Sequence, residues 1–216
     1  MADSKDIART AGLLPPESLL QHPAGTLALK RAFDVMVAAL ALLTVYPLAW
    51  LVCAPLIKCS SKGPVLFRQR RTGLGGAEFT CLKFRTMHLN DEADTRQSSG
   101  VDERVFPSGL FLRRTGLDEL PQLLNILLGE MSLVGPRPHM LSHTDYYGAR
   151  IEGYALRHRM RPGITGWAQV SGSRGETPEL SDMQRRVTLD NEYIDRWSLG
   201  LDAKILFKTL LTLLHL

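Results

Sequence analysis

The strongest constraint on this chain is an apolar segment near its start. After Lys30-Arg31-Ala32-Phe33-Asp34 the sequence stays apolar to Ile57, interrupted only by Thr44, Pro47 and Pro55. As a straight helix the 26 residues 32–57 would extend about 39 Å, more than the ~30 Å hydrocarbon core of a bilayer. A helix so long and so uniformly apolar belongs in a membrane. Whether it spans is a separate question. Both flanks are basic, with Lys30 and Arg31 before and Lys58 and Lys62 after, so a single span would put one of them on the wrong side of the positive-inside rule. Pro47 lies near the middle, removes a helical hydrogen bond and can bend the segment back on itself. A re-entrant helix over 30–58 keeps both flanks on one face, at the cost of carbonyls at the bend that lipid cannot satisfy. The residues alone leave both topologies open, because prolines are common in true spans.

Residues 1–29 are rich in Pro, Gly and polar residues and lack the pattern of a signal peptide, which predicts a flexible N-terminal tail. Residues 59–216 suffice for one domain of ordinary size. The net charge of +4 is unevenly spread: Lys58, Lys62, Arg68, Arg70, Arg71, Lys83 and Arg85 face only Glu78, and Arg157, Arg159 and Arg161 form a second cluster. Such patches suit phosphate ligands or anionic headgroups. Few aromatics interleave them and no nucleic-acid motif is present, so nucleic acid is not an expected partner. The three cysteines, Cys53, Cys59 and Cys81, match neither a disulfide frame nor a zinc site. Any metal should therefore be a hard, oxygen-bound ion.

Val65–Arg71 and Ala77–Phe84 are β-type runs around Thr72-Gly73-Leu74-Gly75-Gly76, which predicts a small β-hairpin. Helices are expected over Leu141–Arg159, Leu180–Trp197 and Asp202–Leu216, the last with leucines beside Lys204 and Lys208 that suit either an interfacial helix or a core-packed one. Gly135-Pro136-Arg137-Pro138 forms a rigid turn that aims Arg137, or simply a surface turn with a solvated arginine. The pair Asp118-Glu119 follows Arg113-Arg114 and precedes an apolar stretch ending at Gly129. Asp118 suits an N-cap, Pro121 the first turn and Gly129 the C-terminal stop. The pair fits a metal-bound anionic substrate as well as it fits an ordinary capped helix.

Taken together the motifs resemble the bacterial sugar transferase family, the monotopic phosphoglycosyl transferases. The matching residues are Lys30-Arg31-Ala32-Phe33-Asp34, Lys83-Phe84-Arg85-Thr86-Met87, Leu117-Asp118-Glu119-Leu120-Pro121-Gln122-Leu123, Gly129 through Pro138, Arg161 through Trp167, Tyr193-Ile194 and Trp197-Ser198-Leu199. They cover roughly residues 30 to 210, in order. The resemblance implies transfer of a sugar 1-phosphate from a UDP-sugar to polyprenyl phosphate at the cytoplasmic face of the bacterial inner membrane. It also implies a re-entrant helix broken at Pro47, although Tyr46 stands where some relatives carry a small hydroxyl residue. Asp118 corresponds to the family nucleophile and Glu119 to its dyad partner, with Mg²⁺ held between them and the diphosphate. Lys83, Arg113, Arg137 and, less directly, Arg161 correspond to phosphate-binding positions, whereas Arg85 and Arg114 suit structural ion pairs equally well. The expected fold is α+β and mainly helical, with the re-entrant helix, the hairpin and amphipathic interfacial helices around a catalytic domain. A membrane-anchored nucleotide-sugar hydrolase and a non-catalytic adaptor are the competing readings. The sugar and the oligomeric state, a homodimer included, are left open.

Overall fold

The computed structural model describes residues 23–98 and 102–214; most of the expected tail, residues 1–22, lies outside them. Helix α1 (Ala24–Ser60) begins six residues earlier than the expected 30, so the end of the tail is helical. The apolar segment forms this single helix, continuous through Pro47 and Pro55. The break expected at Pro47 is therefore not an interruption. One proline removes one N–H donor and leaves the neighbouring turns bonded, and Thr44 Oγ1 donates to the Leu40 carbonyl at 2.8 Å just upstream. In place of a small hydroxyl before the proline, Tyr46 stacks on Phe84 with ring centroids 6.0 Å apart.

The burial of α1 matters more than its length. Lys30, Asp34 and Ala38 are buried in its first half, and Ala49, Cys53 and Ile57 in its second. Each set repeats every four residues, one face of a helix. Ala38 of the first set packs with Phe79, Leu123, Ile126 and Met131, and the second set with Phe84, Phe106 and Leu112. Leu27, Val37, Ala41, Leu42 and Tyr46 are partly buried beside them, while the outer face is bare, Leu43 being 79% and Leu51 71% exposed. Arg85, buried, donates to the Ser61 and Pro64 carbonyls at 2.8 and 2.7 Å and so secures the end of α1 to the hairpin.

The hairpin forms as the sequence predicts, β1 (Leu66–Thr72) antiparallel to β2 (Glu78–Phe84) with Leu66 opposite Phe84. A loop leads to α2 (Pro107–Thr115), a 3-10 turn over Leu117–Glu119 and α3 (Gln122–Leu128). The expected N-cap at Asp118 is not formed. The preceding turn bonds to itself, Glu119 N–H to Gly116 and Leu120 N–H to Leu117, and α3 starts only after Pro121. Gly129, left-handed at φ 88°, ends α3 as expected.

The helix expected over Leu141–Arg159 is two pieces: α4 (Leu141–Gly148) and a 3-10 stretch Tyr154–Arg159, separated by a turn in which Gly153 has φ 73°. A parallel strand pair, β3 (Ser132–Val134) with β4 (Gly163–Thr165), was not foreseen. It joins the two glycine-bearing motifs. A Cβ on Gly135 would lie 2.3 Å from the Arg161 carbonyl oxygen, and one on Gly163 would lie 2.1 Å from the Gly135 nitrogen. The chain closes with α5 (Trp167–Val170), α6 (Leu180–Asp195) and α7 (Leu199–Leu214). Helix α7 packs on the core through Ile205 and leaves Phe207 and Leu210 exposed. The result is the expected mainly helical α+β chain.

Candidate active site

Asp118 sits where α2 meets α3, at the wall of a cavity of about 600 Å³. Gly116, left-handed at φ 72°, turns the chain out of α2 and directs the following 3-10 turn inward. Asp118 is buried at 8% exposure, yet its carboxylate makes no side-chain hydrogen bond or ion pair among the described residues. Glu119 beside it is held firmly. It accepts from Lys83 Nζ at 2.6 Å and from Arg137 Nη2 at 2.5 Å on the same oxygen.

These surroundings drive the two carboxyls apart. Burial raises Asp118 to about 6, with Lys83, Arg113 and Arg137 opposing the shift and Glu119 adding to it. Burial would also raise Glu119, but Arg137 and Lys83 overcome it and hold Glu119 well below the usual carboxylate range. Glu119 in turn raises Arg137. The site therefore contains one cation-bound carboxylate whose ionised form is strongly favoured and one unclasped carboxylate whose ionisation burial opposes.

Lys83 arrives from β2, Arg113 from α2 and Arg137 from the turn after β3, so three separate segments bring the three expected cations to the acid pair. Arg113 is aimed by Thr86 Oγ1, which accepts from its Nε at 2.8 Å, and by Ser98 Oγ. Arg161 does not join them. Its Nε donates to the Gly129 carbonyl at 2.8 Å, and Arg31 donates to the Ile126 carbonyl at 2.6 Å. Both satisfy carbonyls freed at the end of α3, a reason for Arg161 that lies outside the cavity.

Among the described residues no group of three or more His, Cys, Asp or Glu converges as a metal site. Two adjacent carboxylates still suit Mg²⁺, which takes one or two protein carboxylates and completes its shell with water and substrate phosphate oxygens. Asp118 brings unclasped oxygens, while Glu119 is already committed to two cations.

Several cavity-lining groups carry no sequence signal, namely Gln69, His139, His143 and Arg186, while Arg71 stands out only as part of a basic run. It also missed the polar anchor of α1. Lys30 Nζ donates to Asp202 Oδ2 at 2.6 Å, Tyr193 and Trp197 donate to the same carboxylate, and Asp34 accepts from Ser132 Oγ at 2.7 Å. Helical periodicity shows which face is buried. It cannot show a partner 172 positions away.

The model of the family described as bacterial sugar transferase matches residues 25–216. A UDP-glucose:undecaprenyl-phosphate glucose-1-phosphate transferase of Escherichia coli is 52% identical over 84% of this chain and 39% of its own length. One of the same name from Caulobacter vibrioides is 52% identical over 86% of this chain and 69% of its own length. The exopolysaccharide production protein ExoY of Sinorhizobium fredii is 41% identical over 94% of this chain and 92% of itself. The chain thus spans about two fifths of the E. coli relative and nearly all of ExoY.

Proposed function

This chain belongs to the bacterial sugar transferase family, and on that premise we propose that it transfers a hexose 1-phosphate from a UDP-sugar to polyprenyl phosphate. The observation that carries the proposal is the unclasped, buried Asp118 carboxylate, ringed by Lys83, Arg113 and Arg137 beside a cation-bound Glu119. An Asp118 oxygen attacks the donor's β-phosphorus, and the bond from that phosphorus to the bridging oxygen breaks. UMP leaves, and the phosphosugar remains on the carboxylate as an acyl phosphate. An oxygen of polyprenyl phosphate then attacks the same phosphorus, the bond to Asp118 breaks and the carboxylate is restored. Lys83, Arg113 and Arg137 hold the phosphoryl oxygens and neutralise charge as it spreads over them. Mg²⁺ bound by Asp118, and by Glu119 where its oxygens remain free, would offset the charge of the diphosphate.

The relatives named for UDP-glucose stand at 49–52% identity, and one named for UDP-N-acetylgalactosamine at 42%. UDP-glucose is accordingly the proposed donor. In detergent with polyprenyl phosphate and Mg²⁺, the protein should release UMP from UDP-glucose and form a lipid-linked glucose, and Asp118→Asn should do neither. Substantial turnover by that variant would remove Asp118 as nucleophile. Free glucose 1-phosphate without lipid product would mean hydrolysis instead.

The proposed location is the cytoplasmic face of the bacterial inner membrane, with α1 re-entrant. Both halves of α1 pack on the same globular domain, and only residues 39–48 between Ala38 and Ala49 lack a buried position. Ten residues of helix cover about 15 Å, half of a hydrocarbon core. Both termini of α1 therefore belong on the domain's side of the membrane.

A further inference from the structure

Resting on the transferase reading, we propose that Arg71 and Arg186 form a second phosphate seat beyond Arg137, filled first by the nucleotide phosphate of the donor and then by the phosphate of the lipid acceptor.

Both guanidiniums line the cavity. Arg71 is held by neutral oxygens: Nη1 donates to the Pro138 carbonyl at 2.5 Å and Nη2 to Gln69 Oε1 at 2.7 Å. Gln69 is buried and donates to the Ala93 carbonyl. Arg186, 4% exposed, donates from Nη2 to the Gly175 carbonyl at 2.8 Å, and its buried Nε has no hydrogen-bond partner among the described residues. Neither makes a salt bridge to a carboxylate among the described residues, unlike Arg104 with Asp102 or Arg157 with Asp190. A buried guanidinium that is not ion-paired to a carboxylate is costly, and its forked donors suit the oxygens of a phosphate. Burial, with Arg137 and Arg157, pushes Arg186 down to about 10 against the pull of Asp190, as expected for a guanidinium awaiting an anion.

The seat shares Arg137 with the nucleophile. Arg137 is an electrostatic neighbour of Asp118 and also of Arg71 and Arg186. One buried pair braces the Arg137 and Arg186 side of the seat, because Arg157 binds Asp190 at 2.6 Å and donates to the Arg137 carbonyl at 2.7 Å, while Asp190 lies one turn along α6 from Arg186.

In-line displacement makes the seat serve twice. Attack by Asp118 expels the nucleotide phosphate on the opposite side of the β-phosphorus. The acyl phosphate then has Asp118 on one side, so the lipid phosphate must enter from the side that UMP has just left. With a single nucleophile, leaving phosphate and attacking phosphate occupy the same place in turn.

The test is equilibrium binding to full-length Asp118→Asn protein in detergent, using UMP and a short-chain isoprenyl phosphate as probes. The two should displace each other competitively, and adding Arg186→Gln should weaken both by about tenfold or more, with Arg186→Lys recovering part of the loss. Simultaneous binding of both probes would overturn the shared seat. Competition left unweakened by Arg186→Gln and by Arg71→Gln would overturn these residues as its walls. Thermal unfolding of each variant separates a lost contact from a lost fold, and a variant that does not fold is replaced by its lysine counterpart. If the unsubstituted enzyme released no UMP from UDP-glucose and formed no lipid product, the transferase reading itself would fail, a result distinct from either of these.

Discussion

Asp118 and Glu119 are adjacent in sequence and opposite in electrostatic state, and each state has a measurable consequence. Asp118 ionises near pH 6 because burial outweighs its cationic neighbours. The donor kcat/KM, which reports groups of the free enzyme, should be flat above that pH and fall about tenfold per unit below it. The stability effect has the reverse sense. A raised folded pKa means that ionisation is disfavoured in the fold, so a penalty develops as pH rises from 3.8 to about 6 and stays constant above. Asp118→Asn should therefore raise stability at pH 7.5 by about 2–3 kcal/mol while abolishing turnover, and the gain should vanish below pH 3.8 in denaturant titrations. Glu119→Gln should act in the other direction. Its depressed pKa contributes stability that is present above the ordinary carboxylate range, and the variant leaves Lys83 and Arg137 without their shared counter-ion. A loss of about 3 kcal/mol is expected for breaking such a pair, read as a lower denaturation midpoint at pH 7.5. The sequence made the acid pair visible because it is contiguous. It could not show that one member is clasped and the other free, since that depends on Lys83 and Arg137, which come from separate strands and turns.

At the level of elements, the short motifs turn out to hold segments together. Lys30 and Asp34 pin α1 to α7 and β3, and Arg31 and Arg161 close the end of α3. Lys30→Met should remove the cation from Asp202, leaving it the neutral donors Tyr193 and Trp197, and cost about 3 kcal/mol, measurable as a fall in thermal midpoint in detergent. The β3–β4 crossing is tighter still. Gly163→Ala would drive a methyl group into the backbone of Gly135, the residue that opens the Arg137 turn. A loss of about 3 kcal/mol should accompany reduced transfer, with both measured on the purified variant. The hairpin and the α6 and α7 helices were legible because their patterns are local. The β3–β4 pair was not, because three-residue strands carry too little alternation and their pairing spans a gap from Ser132 to Gly163.

For the whole molecule the question is how α1 meets the bilayer. Its apolarity was plain in the sequence, and its topology was not, because doubly basic flanks and a central proline fit either arrangement. Burial at both ends against one domain favours re-entry. Single cysteines placed at Gly25 and at Lys62, in a background lacking Cys53, Cys59 and Cys81, should both resist a membrane-impermeant thiol reagent in intact cells and react after lysis. Labelling of either one from outside would favour a span.

The Lys30–Asp202 contact also imposes a waiting time. Its two residues are separated by 172 positions, and at synthesis rates of roughly 5–20 residues per second the carboxylate follows the ammonium by about 10–30 s. Throughout that interval Lys30 has Asp34, one turn along its own helix, but not Asp202. The latch therefore closes only once nearly the whole chain has been made, long after the basic residues flanking α1 have been synthesised.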